Sequence, residues 1–340
     1  MKTGWFHKDN SVTFVLLEGG TNHNGNVNQA LRLIDIAKEA AADAIKFQCF
    51  NAETNLSNKI KHFPFLKGNP IEELKKFELS YLELKQLRKH AKEKEIAFTL
   101  SFSHQSDFEK IRELDLDFYK ISSFFIDAPT ILEKVAEDGK PTILSTGTAD
   151  LSEIEKAVDI FIKKGNDNLA LLHCVSCYPT KDEYANLLVI KTLQEKFSPL
   201  TIGYSDHTKG ILASTIAVAL GAKIIEKHFT FSRKLYGPDH SFAIEPSEVM
   251  TMIENIRKTE RLLGSSDKVI SDEEEQMKRI ARRSIFASCF IKRGTVISEN
   301  MLTLMRPGTG IKPFEIRSII NKKASNDLGR GKMLEWSDFE

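Results

Sequence analysis

The sequence predicts an α/β protein: a (β/α)8 TIM barrel followed by a small β-rich domain. Three observations carry this expectation. Eight short, nearly continuous apolar runs rich in β-branched and aromatic residues recur before Gly264, as in parallel strands buried on both faces. Stretches of helical period alternate with them. After Gly264 the pattern changes to acidic, then basic, then short β-like runs parted by turn signals.

The expected strands are Thr13 to Leu17, Ala44 to Gln48, Ile96 to Thr99, Phe118 to Ile121, Thr142 to Ser145, Leu169 to His173, Thr201 to Tyr204 and Ile224 to His228. The expected helices are Val27 to Ala41, Tyr81 to Lys94, Ser106 to Leu114, Pro129 to Glu137, Leu151 to Lys164, Leu187 to Phe197, Ile211 to Leu220 and Pro246 to Leu263. Pro129 and Pro246 open their helices, where a missing N–H costs little. Eight such units in about 260 residues match a barrel in number and length. A doubly wound open sheet fits less well, because no glycine-rich phosphate fingerprint follows the first strand. The stretch Asn51 to Ser80, with Pro64, Gly68 and Pro70, is too long for an ordinary connection and is expected to cover the active face. Domain boundaries follow: a barrel over 1–264, a linker over 265–283 and the small domain over 284–340. Within the last, Ser284 to Phe290, Thr295 to Ile297, Leu302 to Arg306 and Lys332 to Leu334 read as short strands.

Composition narrows the function classes. The 340 residues carry a formal net charge of +1, so no overall field favours nucleic acid or an anionic membrane. The basic run Met277 to Arg283 lacks aromatics and reads as linker rather than as a nucleic-acid contact. No run is apolar enough to span a bilayer, and Met1-Lys-Thr-Gly-Trp5 lacks a signal peptide's apolar core, so a cytoplasmic protein is expected. Four scattered cysteines do not make a disulfide framework.

In such a barrel the reactive groups sit at the C-terminal strand ends. That rule collects Glu18, Lys46, Gln48, Ser101, Lys120, Ser122, Ser123, Ser145, His173, Asp206, His207 and His228. Lysines in apolar strands need partners. With the hydroxyls around them, Lys46 and Lys120 suit a small phosphate or carboxylate anion; the alternatives are lysine–carboxylate pairs that tile the barrel, or a Schiff-base nucleophile. His207 and His228 read either as hydrogen-bonded rim histidines or as ligands of a divalent ion that polarises a carbonyl. In the second case Asp206 and Glu18 orient ligands or water, and manganese, zinc or iron suits the donors better than calcium. Cys174-Val-Ser-Cys177 has no second pair to complete a zinc site. His173 reads equally as catalytic or as a satisfied core histidine.

Taken in order, Thr21-Asn-His-Asn-Gly25, Ala44-Ile-Lys-Phe-Gln48, Tyr119-Lys-Ile121, Leu144-Ser-Thr-Gly147, His173-Cys, Tyr178-Pro-Thr180, Gly203-Tyr-Ser-Asp-His-Thr208, Glu226-Lys-His-Phe-Thr230 and Gly237-Pro-Asp239 closely resemble the sialic acid synthase (N-acetylneuraminate synthase) family. Phe286-Ala-Ser288, Ile291-Lys-Arg-Gly294 and Arg306-Pro-Gly308 resemble that family's antifreeze-like (SAF) domain. The resemblance implies a transferase of carbohydrate biosynthesis. It condenses phosphoenolpyruvate with an N-acetylated amino sugar, giving a nine-carbon 2-keto-3-deoxy acid and phosphate by C–O cleavage. It further implies that Lys46, Lys120, Ser123 and Ser145 hold phosphoenolpyruvate, and that His207 and His228 bind the metal, manganese with magnesium or cobalt as alternatives. Glu18 is implied as acid/base or water-orienting group, and Tyr178 and Asp239 as sugar-facing residues. The family's domain-swapped homodimer would bring Arg306 and Phe286 to the partner's barrel. Gly237-Pro-Asp239 favours the sialic or legionaminic branch over the pseudaminic one.

The sequence departs from the family at several positions. Leu17-Glu-Gly-Gly20 stands for Ala-Glu-Ile-Gly and Thr99-Leu-Ser-Phe102 for Ser-Thr-Pro-Phe, which puts Leu100 at a phosphate-contacting threonine and leaves Thr99 or Ser101 to substitute. Ser176 stands for an asparagine, and Phe125 for a sugar-binding acid that Asp127 would replace. These changes leave open an unusual or phosphorylated acceptor, or a sugar-binding protein on a decayed synthase fold.

Overall fold

The computed structural model describes residues 12–57, 59–61 and 66–340; Met1-Lys-Thr-Gly-Trp5 and Pro64 lie outside them. The chain divides after Gly264 into two compact units. In the first, eight parallel strands run in the order β3-β2-β1-β8-β7-β6-β5-β4. They are β1 (Phe14–Gly20), β2 (Ala44–Cys49), β3 (Ala97–Phe102), β4 (Tyr119–Ile121), β5 (Thr142–Ser145), β6 (Leu169–Cys174), β7 (Thr201–Asp206) and β8 (Ile224–His228). The seam between β3 and β4 is closed by Asp117 N–H to Phe98 O at 3.3 Å and by the Thr99 hydroxyl to Phe118 O at 2.6 Å. The expected barrel is borne out.

Helices α1 (Val27–Glu39), α2 (Ala52–Asn55), α3 (Pro70–Lys75), α4 (Tyr81–Glu93), α5 (Gln105–Arg112), α6 (Pro129–Asp138), α7 (Leu151–Lys163), α8 (Val189–Lys196), α9 (Leu212–Ala219) and α10 (Pro246–Leu263) complete this unit. The α7 segment shows why they form. Asp150 and Glu153 close a capping box at its start, and Ile154, Ala157, Val158 and Phe161 fall on one buried face. Burying each large apolar side chain of that face contributes about 1.5–3 kcal/mol.

Strand alternation splits the interior in two. Leu16, Ala44, Phe118, Ile143, Ala170, Leu172 and Ile224 point inward and fill the N-terminal end of the barrel. Their outward neighbours, such as Val15, Ile45, Phe98, Leu171 and Ile225, belong to the larger core beneath the helices. An apolar plug at one end leaves the other for polar side chains.

The segment 51–80 is not the plain loop expected. It carries α2 and α3 and its own small apolar cluster of Phe50, Ala52, Leu56, Leu74 and Phe77. In the second unit the stretch expected as a linker holds α11 (Asp272–Ala281), capped by Ser271. Only β9 (Ser284–Ala287) and β10 (Leu302–Met305) form a ladder there, antiparallel. The runs expected as strands at 295–297 and 332–334 contribute isolated bridges, Val296 to Lys323 and Phe286 to Met333. A short helix α12 (Ile316–Ile319) covers a core that includes Ile285, Ile297, Leu328 and Leu334. Turns as close as those flanking these runs leave no length for ladders. Among the described residues no helix is long and apolar enough to cross a membrane.

Candidate active site

Above the apolar plug, the next inward positions of four strands hold charges. Lys46 Nζ lies 2.9 Å from Glu18 Oε2 and 3.4 Å from Glu226 Oε1; Lys120 Nζ lies 3.4 Å from Glu226 Oε2 and donates to Ser145 Oγ at 2.7 Å. All four charged groups are buried. Both lysines are therefore paired with carboxylates, as one of the sequence readings had it, and they converge at the strand ends rather than scattering through the barrel.

The two carboxyls diverge in proton affinity. Burial raises Glu18 to about 7, against the pull of Lys46 and helped by Glu226. Glu226 is just as buried, but it is flanked by both Lys120 and Lys46, which together hold it down at about 2. Carboxyls pushed apart in this way mark a proton-transferring group and a permanently charged one. Burial lowers Lys120, whereas for Lys46 the two carboxylates outweigh burial and raise it. Gln48 Nε2 donates to Glu18 Oε1 at 3.2 Å.

His207 and His228 stand at the mouth with ring centroids 5.4 Å apart. His207 Nδ1 is 2.9 Å from Val175 O, which can only accept, so Nδ1 carries the proton and Nε2 presents its lone pair. His228 Nδ1 is buried and has no hydrogen-bond partner among the described residues. Burial, with His207 and Lys46 nearby, holds His228 well below the usual imidazole value and so neutral. Tyr178 packs at 4.3 Å on His207, and Phe242 closes the group at 5.0 Å from His228 and 5.5 Å from Tyr178. Asp239 Oδ2 accepts from Thr21 N and Oγ1 and lies 4.0 Å from His228 Nδ1. On the side of β5 and β6, Ser123 Oγ accepts from Gly147 N at 2.9 Å and approaches Cys174 Sγ at 3.6 Å. Beside Tyr178, Ser176 Oγ is buried there. A Cβ on Gly147 would stand 2.4 Å from it, so only glycine fits.

Other expected residues fall elsewhere. Asp206 is on the outward side of β7, with its carboxylate engaged by Lys227, Thr208 and Ser214, and does not face the mouth. His173 also faces out, bonded through Nε2 to Ala185 O at 2.8 Å and stacked on Tyr204. Leu100 packs with the helix-facing core, so position 100 does not line the mouth; Thr99 and Ser101, its neighbours in the strand, take the inward side. Phe125 lies 5.4 Å from Phe102 and packs on the same outer core, and Asp127 is exposed. Phe286 is buried on β9 and Arg306 exposed after β10, both in the second unit.

Two contributors escaped the sequence reading. Glu226 stands two residues before His228, so strand alternation puts both on one face; that signal was available. Phe242 comes from an irregular loop, where no periodicity points to it.

Residues 33–268 match the model of the NeuB family, and residues 282–340 match that of the SAF domain. The chain is 38% identical over 330 residues to the N,N'-diacetyllegionaminic acid synthase of Campylobacter jejuni, covering 95% of this chain and 98% of that one. It is 36% identical over 345 residues to a pseudaminic acid synthase of the same species, covering 100% of both. To the human N-acetylneuraminate-9-phosphate synthase it is 34% identical over 316 residues, 91% of this chain and 88% of that one. Among solved structures, the N-acetylneuraminic acid (sialic acid) synthetase of Leptospira borgpetersenii in complex with citrate superposes with a TM-score of 0.73 at 38% identity, covering 78% of this chain and 90% of that one. With its barrel built around these motifs and its small unit matched as well, the chain belongs to the NeuB family and carries a SAF domain.

Proposed function

We propose that this protein is a phosphoenolpyruvate-dependent nonulosonic acid synthase whose acceptor is an N-acetylated amino sugar, N-acetylmannosamine-like or a di-N-acetylated dideoxyhexose. The observation that carries this reading is the split pair Glu18 and Glu226 around two lysines, directly beneath the imidazoles of His207 and His228. Lys46 and Lys120, with Ser123 and Ser145, hold the phosphate and carboxylate of phosphoenolpyruvate. C3 of phosphoenolpyruvate forms a bond to the aldehyde carbon of the open-chain sugar with the electron pair of its C2–C3 double bond, leaving an alkoxide on the sugar and an electron-deficient C2. Water adds at C2; Glu18 takes one of its protons and passes it to the sugar oxygen, and the other goes from the C2 hydroxyl to the departing phosphate as the C2–O(P) bond breaks and the 2-keto group forms. Tyr178 and Asp239 face the sugar, and Ser176 offers it a buried hydroxyl.

His207 and His228 fit a divalent metal: one ring nitrogen of His207 presents a lone pair, and Nδ1 of His228 is a buried orphan. Their ring spacing of 5.4 Å is compatible with metal–nitrogen bonds of about 2.1 Å to one ion. Among the described residues no group of three or more His, Cys, Asp or Glu is arranged to hold a metal. The two imidazoles therefore leave the other positions to oxygen ligands from water and substrate, a set that suits manganese. When bound, the metal polarises the aldehyde carbonyl. We further propose a homodimer in which the small unit of one protomer caps its partner's barrel through Arg306.

Purified protein supplied with Mn2+ and phosphoenolpyruvate should release phosphate with one member of an acceptor panel containing N-acetylmannosamine, its 6-phosphate and di-N-acetylated dideoxyhexoses. Absence of phosphate with every acceptor would sink the reading. The acceptor that works separates the legionaminic branch, favoured by Gly237-Pro-Asp239, from a phosphorylated substrate.

A further inference from the structure

The outward faces of β7 and β8 carry an ion pair with no solvent to serve. Asp206 Oδ2 is 3.0 Å from Lys227 Nζ, and the two side chains are 0% and 1% exposed. The two residues are direct register partners, so the residue that follows each in the chain is one of the two mouth histidines, His207 or His228. The pair's closest hydrogen bonds gather at one junction. Asp206 Oδ1 accepts from Thr208 N at 2.8 Å and Thr208 Oγ1 at 2.7 Å, and Oδ2 accepts from Ser214 Oγ of α9 at 2.6 Å. Lys227 Nζ donates to Thr208 O at 2.6 Å. His207 O then accepts from Thr180 N at 2.9 Å, and Thr180 in turn ties down Val175 O, the carbonyl that orients the His207 ring.

A buried ion pair is a poor source of net stability, because desolvating both charges offsets their attraction. Its geometry, by contrast, is narrowly defined, and here it bolts the end of β7 to β8 one residue below both imidazoles. We infer that Asp206 and Lys227 are positioning residues that fix the separation and tilt of His207 and His228 from behind the strands, and so set metal affinity without touching metal or substrate. This rests on the two-histidine reading above.

The test replaces both partners by apolar side chains, Asp206→Leu with Lys227→Met, which leaves no unpaired charge. Titration of the metal-free full chain with Mn2+ by electron paramagnetic resonance, and the visible spectrum of the Co2+ form, read the site directly. The double variant should unfold cooperatively like the wild type and keep its KM for phosphoenolpyruvate. Its Mn2+ affinity should fall roughly 10–100-fold, the range for lost outer contacts of metal ligands, with an altered Co2+ spectrum. Wild-type affinity and spectrum in the folded double variant would overturn the inference. If that variant does not fold, Ser214→Ala and Thr208→Val each remove one donor to Asp206; smaller losses of affinity support the clamp, and unchanged affinity in both overturns it. A wild-type protein that takes up neither ion would overturn the two-histidine reading itself, and the clamp with it.

Discussion

Glu18 and Glu226 share one ammonium, yet one titrates near neutrality and the other stays charged to acid pH. As a base Glu18 must be ionised, so turnover should rise with pH through about 7 and the inflection should vanish in Glu18→Gln. That variant should lose roughly 10²–10⁴-fold in kcat, with KM for phosphoenolpyruvate changed far less; an unmoved pH profile would assign the proton elsewhere. For Glu226 the folded value of about 2 lies below the ordinary carboxylate value of 4.5. Its contribution to stability is therefore complete above pH 4.5 and lost as pH falls toward 2. Glu226→Gln leaves Lys46 and Lys120 short of a counter-charge and should cost about 3–5 kcal/mol in chemical denaturation at neutral pH. The residues that alternation and strand-end position single out, Lys46, Lys120, His207 and His228, were legible in the sequence. Asp206, collected with the strand-end residues, turns its side chain away from the mouth: of two neighbours on a strand only one faces in, and nothing in the residue types says which.

At the level of elements, the strands β1, β2, β3, β6 and β7 run further toward their C-terminal ends than hydrophobicity indicates, through Gly20, Cys49, Phe102, Cys174 and Asp206. Polar residues there keep the ladder because they face a polar mouth or a buried partner, so an apolar-run criterion stops short. The end of β1 is built around glycine. Gly20 has φ +50, and a Cβ there would lie 2.7 Å from Asp239 Oδ2 and 3.3 Å from Glu18 Oε1. Gly19 is equally closed, since its Cβ would meet Phe47 Cε1 at 2.5 Å. Gly20→Ala should thus displace both carboxylates and lower kcat/KM for the sugar roughly 100-fold, the scale of a misplacement near 1 Å. Gly139→Ala is the control. Its φ is +74 but no atom lies within 4 Å of the added Cβ, so it should cost about 1–2 kcal/mol of stability and leave kinetics unchanged. Equal kinetic losses in both would mean that backbone strain, not crowding of Asp239, is responsible.

For the whole molecule, the open question is what the second unit does for the first. That unit has its own core and a single two-stranded ladder. Its Arg306 is exposed, and among the described residues only its Nε is engaged, donating to Ala281 O at 3.0 Å. The far end of the guanidinium is thus left for a carboxylate or sugar hydroxyl. The proposal that it acts on a partner's barrel makes a prediction that no single-chain role makes. A His228→Ala chain has a dead barrel and a sound Arg306, and an Arg306→Ala chain has the reverse. Alone, each should be nearly inactive. Mixed in equal amounts and allowed to exchange, half the dimers pair the two kinds, and each such dimer holds one whole site if the cap acts across the symmetry axis. About a quarter of wild-type activity should return, growing with the time of exchange and absent when subunits are cross-linked before mixing. If Arg306 serves its own barrel, no pairing creates a whole site, and the mixture stays as inactive as its parts.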